Sequence, residues 1–320
     1  MSVLFEVEYE RQRHVGLGLP VPGRPHTLYR VDDGAAAAAV IAGGSALSDL
    51  LAAAERREVD LDGPDVRYLP PLLPRATNNA LVNGFMGTHR TKFDHAPAPD
   101  QEFVAPNYYQ KGFGSWLKLP GEALVTPAEP IWLLEEPEVA LVFVNDAAGV
   151  PHYAGYTFGN DLNDIGLHLE KPWAWTPYAK LCETSITPWL FLGPPPTTVT
   201  GRVTIERAGA PVWSGAFSCG ADSLYHRVAD TARHVLSYPL LRRPGLVNYL
   251  LLGADKASYH AGFRIEDGDR LVLDVTSHGV VLDNPVRFGP VAPEIPLTPP
   301  AVADPGALVS TNGGTTTPLP

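Results

Sequence analysis

Hydrophobic and polar positions change rhythm several times along the chain. In 3–9 (VLFEVEY) and 14–18 (HVGLG) the apolar positions fit two short strands paired through a tight turn. Ala and Gly dominate 33–42, which predicts a weak helix or a loop. The stretch 48–57 (SDLLAAAERR) reads as a firmer helix with Ser48 as its N-cap. The passage 68–74 (YLPPLLP) cannot lie inside a helix, because each proline removes a donor and crowds the preceding turn. It marks a first boundary. From about residue 130 the signals are mostly strands, at 131–134, 139–144, 199–205, 212–217, 249–252 and 270–275. One amphipathic helix interrupts them at 223–236, with Leu224, Val228, Ala232 and Leu236 on one stripe. Strands outnumber helices and no βαβ alternation occurs, so the expected class is α+β and β-rich, not a doubly wound parallel sheet. The expected division is a small N-terminal α+β domain at 1–70, a larger domain at 71–289, and a proline-rich tail at 290–320. In that tail only Glu294 and Asp304 carry charge.

Composition narrows the function. The 320 residues suggest one large or two modest domains, long enough to bury a core without staples. The 35 acidic residues exceed the 24 basic ones, giving a net charge of −11. That balance argues against a nucleic-acid or anionic-membrane binder, since both need clustered Lys and Arg. It suits an enzyme of small-molecule substrates or a cation binder. Cys182 and Cys219 are too few for a disulfide framework or a thiolate zinc site. The N-terminus does not read as a signal peptide, and the apolar runs are too short to span a bilayer, so a cytoplasmic location is expected.

The first chemical clue is 134–141 (LEEPEVAL). Alternation on a strand puts Glu136 and Glu138 on one face and turns Glu135 to the other. Two carboxylates that close repel, and a hard divalent cation relieves the repulsion. An oxygen-rich site selects Mg²⁺, Mn²⁺ or Ca²⁺ over zinc. Further on come 154–163 (AGYTFGNDLN) and 178–189 (YAKLCETSITPW). The aromatic clusters 173–175 (WAW) and 107–111 (NYYQK) are candidate pocket linings, although aromatic residues more often serve a core or an interface.

Taken in order, these segments resemble the fumarylacetoacetate hydrolase family. Glu136-Pro-Glu138 is similar to its Glu-x-Glu strand, Gly155 to Asp161 to its Gly-Tyr-Thr-x-x-Asn-Asp segment, and Lys180 to Trp189 to its Lys-x-x-x-Thr-x-Ile-x-Pro-Trp segment. Residues 117–124 (LKLPGEAL) resemble its lysine-proline segment. Residues 250–253 (LLLG), 265–272 (IEDGDRLV) and 279–286 (GVVLDNPV) resemble its closing pattern. The match runs from about residue 80 to 289. The resemblance implies a mixed β-roll catalytic domain and a homodimer. It implies Glu136, Glu138 and Asp161 as ligands of Mg²⁺ or Mn²⁺, with Ca²⁺ also admissible. It places Lys180 against the developing enolate and His89 as the base on a mobile loop spanning 84–95.

The implied activity is that of a metal-dependent enzyme acting on a 2-oxo acid or 1,3-dicarbonyl substrate through a metal-bound enolate, with carbon–carbon bond hydrolysis first. A lyase, decarboxylase, dehydratase or isomerase acting on a specialised, biosynthetic substrate is the alternative, and a catalytically silent ligand-binding homologue a second. Several positions depart from the family pattern. Lys92 stands where the family keeps the Glu that activates the histidine. Val82 stands where the hydrolase proper has a fourth metal carboxylate. The run 162–166 (LNDIG) lacks an Arg, and Gly253-Ala-Asp255 replaces Gly-Thr-Pro. The metal centre is thus expected to be kept and the substrate-recognising shell rewritten.

Overall fold

The computed structural model describes residues 2–98, 101–255, 257–295 and 297. Most of the expected tail, from residue 298 on, lies outside the described residues. Strands dominate, as a β-rich α+β chain requires. A thirteen-stranded mixed sheet runs in the order Arg56–Val59, His26–Arg30, Gln12–Leu17, Ser2–Tyr9, Leu190–Leu192, Pro151–Asn160, Pro137–Asn145, Val247–Leu251, Ala80–Met86, Asn107–Phe113, with three short strands paired off this path. A five-stranded sheet is built from Ala210–Cys219, Val199–Arg207, Arg270–Val275, Val280–Phe288 and Leu124–Thr126. Ser2–Tyr9 pairs with Leu190–Leu192, so the segment before residue 70 shares the large sheet with the rest of the chain.

The strand Pro137–Asn145 is buried on both faces, which is why its apolar run barely alternates. Val139 and Leu141 join Val203, Phe217, Leu271 and Leu282 in a core that includes both sheets. Ala140 and Val142 pack on the other side with Tyr249, Leu251 and Ala36 of the helix Ala35–Ala42. The alanine-rich run 33–42 therefore does form a helix, and its small side chains pack on the sheet.

Two expected helices are shorter than their patterns. The first spans Ala46–Ala53, because Arg56–Val59 is drawn out as a strand against His26–Arg30. The second spans only Val228–Val235. Its expected first turn is diverted: Leu224 bridges to His89, and the Tyr225 amide donates to the Thr88 carbonyl at 2.7 Å. Tertiary pairing has outbid local helix propensity there.

Candidate metal and active site

The site forms where Pro137–Asn145 begins and its antiparallel partner Pro151–Asn160 ends. The register sets Pro137 opposite Asn160 and Glu138 opposite Gly159. One step further, the Asp161 amide donates to the Glu136 carbonyl at 3.0 Å. Glu136, Glu138 and Asp161 then share one face, and each offers an oxygen within 4.8 Å of the others'. Glu138 and Asp161 are buried, while Glu136 stays partly open and gives the centre its access to solvent. Glu135 points elsewhere: its two oxygens accept from the Ser258 amide at 2.7 Å and the Ser258 hydroxyl at 2.6 Å.

Lys180 caps the C-terminal end of the helix Pro172–Ala179 and enters the centre. Its Nζ lies 2.8 Å from Glu136 Oε2 and 2.7 Å from Asp161 Oδ2. Two further side chains arrive from Asn107–Phe113. Lys111 Nζ is 2.6 Å from Asp161 Oδ1 and also donates to the Leu162 carbonyl. The Tyr109 hydroxyl donates to Asp161 Oδ2, and the Lys180 ammonium sits 4.4 Å from the centre of the Tyr109 ring. Tyr109 and Lys111 reach the same carboxylate because they lie two apart on a strand. Gly84 lies opposite Tyr109, and a Cβ there would fall 2.2 Å from the tyrosine oxygen. The missing side chain is what lets the ring lie over the centre.

The electrostatics divide the three acids. Burial would raise Asp161, but the charges of Lys111 and Lys180 overcome it and hold this carboxyl far below the usual range. Glu138 goes the other way: burial, then Asp161 and Glu136, raise it well above the carboxylate range. Its Oε2 accepts the Gly253 amide at 2.6 Å, and its Oε1 has no partner among the described residues. Burial works to lower Lys180, but the surrounding carboxylates outweigh it and keep the amine firmly protonated. Burial also lifts the Tyr109 phenol well above its ordinary value, so it stays a donor.

The donor set fits a hard dication. Three carboxylates converge, one bears a buried oxygen without a partner, and no thiolate takes part. With all three ionised to hold a cation and two ammonium groups beside them, the protein groups would sum to one negative charge. A dication would turn the centre net positive, matched to an anionic ligand.

His89 is buried on the turn after Ala80–Met86, with its Nδ1 3.0 Å from the Thr91 hydroxyl and 3.5 Å from Asp255. Among the described residues no hydrogen bond or ion pair joins it to the three carboxylates. Burial foremost, then Lys92 and Arg90, lower its pKa against the opposing pull of Asp255 and the Ser218 carbonyl. Lys92 itself turns toward His260, at 3.3 Å. Lys118, in the segment that resembles the family's lysine-proline segment, pairs with Glu183 at 3.1 Å, and Lys111 joins Lys180 at the centre. Trp173 is 98% exposed.

No family model and no curated protein matches the chain. Solved structures do. A 2-keto-3-deoxy-D-arabinonate dehydratase aligns over 90% of this chain and 99% of its own, with a TM-score of 0.65 at 18% identity. Likeness at this level shows a shared fold. The same dehydratase is known in complex with magnesium and 2,5-dioxopentanoate. A 5-carboxymethyl-2-hydroxymuconate delta-isomerase from Mycobacterium smegmatis covers 90% of this chain and 100% of its own, with a TM-score of 0.60 at 19% identity. Within this fold, Glu136, Glu138, Asp161 and Lys180, which the family resemblance implies as site residues, come to one place. The sequence offers Tyr109 and Lys111 only as part of a candidate pocket lining at 107–111, whereas the structure sets both on Asp161; the signal for that was the two-residue spacing of a polar aromatic and a lysine on one strand. No helix of the described residues is long and apolar enough to cross a membrane.

Proposed function

We propose that this protein is a Mg²⁺- or Mn²⁺-dependent enzyme that acts on a 2-oxo acid or 1,3-dicarbonyl compound by way of an enolate, with carbon–carbon hydrolysis as its first reaction. The observation that carries the reading is the convergence of Glu136, Glu138 and Asp161 around a buried oxygen without a partner, with Lys180 beside them. Glu136, Glu138 and Asp161 would hold the ion, and a hard dication there supplies Lewis acidity toward paired substrate oxygens. Lys111 and Tyr109 fix Asp161 from behind, which keeps its carboxylate ionised and oriented. Lys180, protonated and almost fully enclosed, faces negative charge that develops on a substrate oxygen and stabilises it. His89, neutral at pH 7, is the group proposed to take a proton from water or from carbon. A homodimer in the cytoplasm, with no nucleic-acid or membrane partner, belongs to the same proposal.

A second reading, dehydration or isomerisation through the same enolate, is favoured by the names of the structural neighbours and by the lack of contact between His89 and the triad. The test is exchange of the C3 hydrogens of pyruvate for deuterium, followed by proton NMR with and without Mg²⁺. Metal-dependent exchange, lost about 100-fold or more in Lys180→Met with Mg²⁺ affinity kept, supports the enolate. Bidentate binding of oxalate in a Mg²⁺-loaded crystal would support it independently. Failure to bind Mg²⁺ at all would favour the catalytically silent homologue.

A further inference from the structure

The turn Leu252–Asp255 serves two places at once. Its Gly253 amide holds Glu138 Oε2, and two residues later Asp255 reaches the His89 turn. The Thr88 hydroxyl also donates to the Leu252 carbonyl at 2.6 Å, which locks the two segments together. The His89 turn carries Lys92 instead of an acid. A carboxylate nevertheless stands beside the imidazole, and it comes from Asp255, far along the chain.

The chain of contacts has a direction. The Thr91 hydroxyl donates to Asp255 Oδ1 at 2.6 Å, so its proton is committed to the carboxylate. Its oxygen is then free to accept, and His89 Nδ1 lies 3.0 Å from it. The competing arrangement has Nδ1 accepting the Thr91 amide, but that contact is 3.4 Å long. It would also require Nε2–H to use the Ser218 carbonyl, and Nε2 makes no aligned hydrogen bond among the described residues. A carboxylate 3.5 Å from Nδ1 further favours a proton on that nitrogen.

We propose that Asp255, acting through the Thr91 hydroxyl, is a positioning residue that holds His89 as its Nδ1–H tautomer and keeps the proton off Nε2. The relay is Nδ1–H to Thr91 Oγ1, and Thr91 Oγ1–H to Asp255. It replaces the acid that the loop lacks at Lys92, and in doing so it ties the orientation of the base to the turn that holds Glu138. The inference deepens the reading of His89 as base and rests on it.

The tautomer can be read without substrate. In full-length protein with ¹⁵N-labelled histidine, long-range proton–nitrogen NMR at pH 8, with and without Mg²⁺, should show His89 with Nδ1 protonated and Nε2 bare. Asp255→Asn presents an amide that can donate toward Thr91 and reverse the relay. Thr91→Val cuts the relay at nearly constant shape. Both should move His89 to the Nε2–H form or to a mixture, and Thr91→Ser should restore the parent spectrum. Circular dichroism and thermal melts show whether each variant folds, and the serine variant keeps the test decisive if one does not. An Nε2–H tautomer in the parent protein, or a spectrum unchanged in Thr91→Val, overturns the inference. With pyruvate exchange as the second readout, Asp255→Asn should lower kcat about ten-fold or more with KM little changed. A tautomer that shifts while exchange does not would uphold Asp255 as the positioning residue and remove His89 from the proposed mechanism.

Discussion

At the scale of single residues, the centre shows how burial and neighbours set apart carboxyls of the same chemistry. Asp161 is held ionised by Lys111 and Lys180, whereas Glu138, a few ångströms away, is pushed toward protonation. Glu135, next in the chain to Glu136, is different again: burial raises it to about 7 against the ordinary 4.5, despite two hydrogen bonds from Ser258. Its folded form keeps a proton that the unfolded chain gives up. The associated stability is therefore complete below about pH 4.5 and lost as pH rises through 7. The amount at stake is on the order of 3 kcal/mol. Glu135→Gln keeps a partner for both Ser258 groups and carries no charge. In urea unfolding with EDTA it should match the parent near pH 4.5 and exceed it at pH 8. Equal stability of the two proteins at pH 8 would remove Glu135 as a source of the pH dependence.

At the scale of elements, most of the site depends on which strand lies beside which. The Asn107–Phe113 strand delivers Tyr109 and Lys111 because its partner, Ala80–Met86, offers Gly84 at the crossing point. Gly84→Ala would drive its methyl into the tyrosine ring. The expected cost is about 1–3 kcal/mol in stability, the range for overfilling a packed interior, together with weaker Mg²⁺ binding as Tyr109 leaves Asp161. Combining it with Tyr109→Ala should cost less than the sum of the two single changes, and a double-mutant cycle by chemical denaturation reads that coupling. Additive effects would show that the methyl is accommodated elsewhere. The helix beginning only at Val228 follows the same logic. Leu224 fits the helical stripe, but it and Tyr225 are committed to the turn that carries His89.

At the scale of the whole molecule, the metal centre joins segments far apart in the chain: Asp161 with Tyr109, Glu136 with Lys180, and Glu138 with Gly253. A ligand bound there should stabilise the entire fold by mass action. Mg²⁺ at one hundred times its Kd should add about 2.7 kcal/mol. The melting temperature should rise by several degrees, and Glu138→Gln should abolish most of that rise. A melting temperature that ignores Mg²⁺, Mn²⁺ and Ca²⁺ alike would refute a metal centre built on these carboxylates.

The sequence by itself determined the β-rich class, the shared face of Glu136 and Glu138, and the grouping of Asp161 and Lys180 with them. The class and the shared face follow from strand periodicity, a local property of the chain, and the grouping from the resemblance to the fumarylacetoacetate hydrolase family. Only the tertiary structure decided that Lys111 and not Lys118 enters the centre, that Glu135 is fully buried against Ser258, and that the acid beside His89 is Asp255. Each depends on a contact between segments separated by 51 to 164 residues. Neither side chain carries a local mark of its partner. Strand order and register bring the two together, and burial then makes the pairing matter.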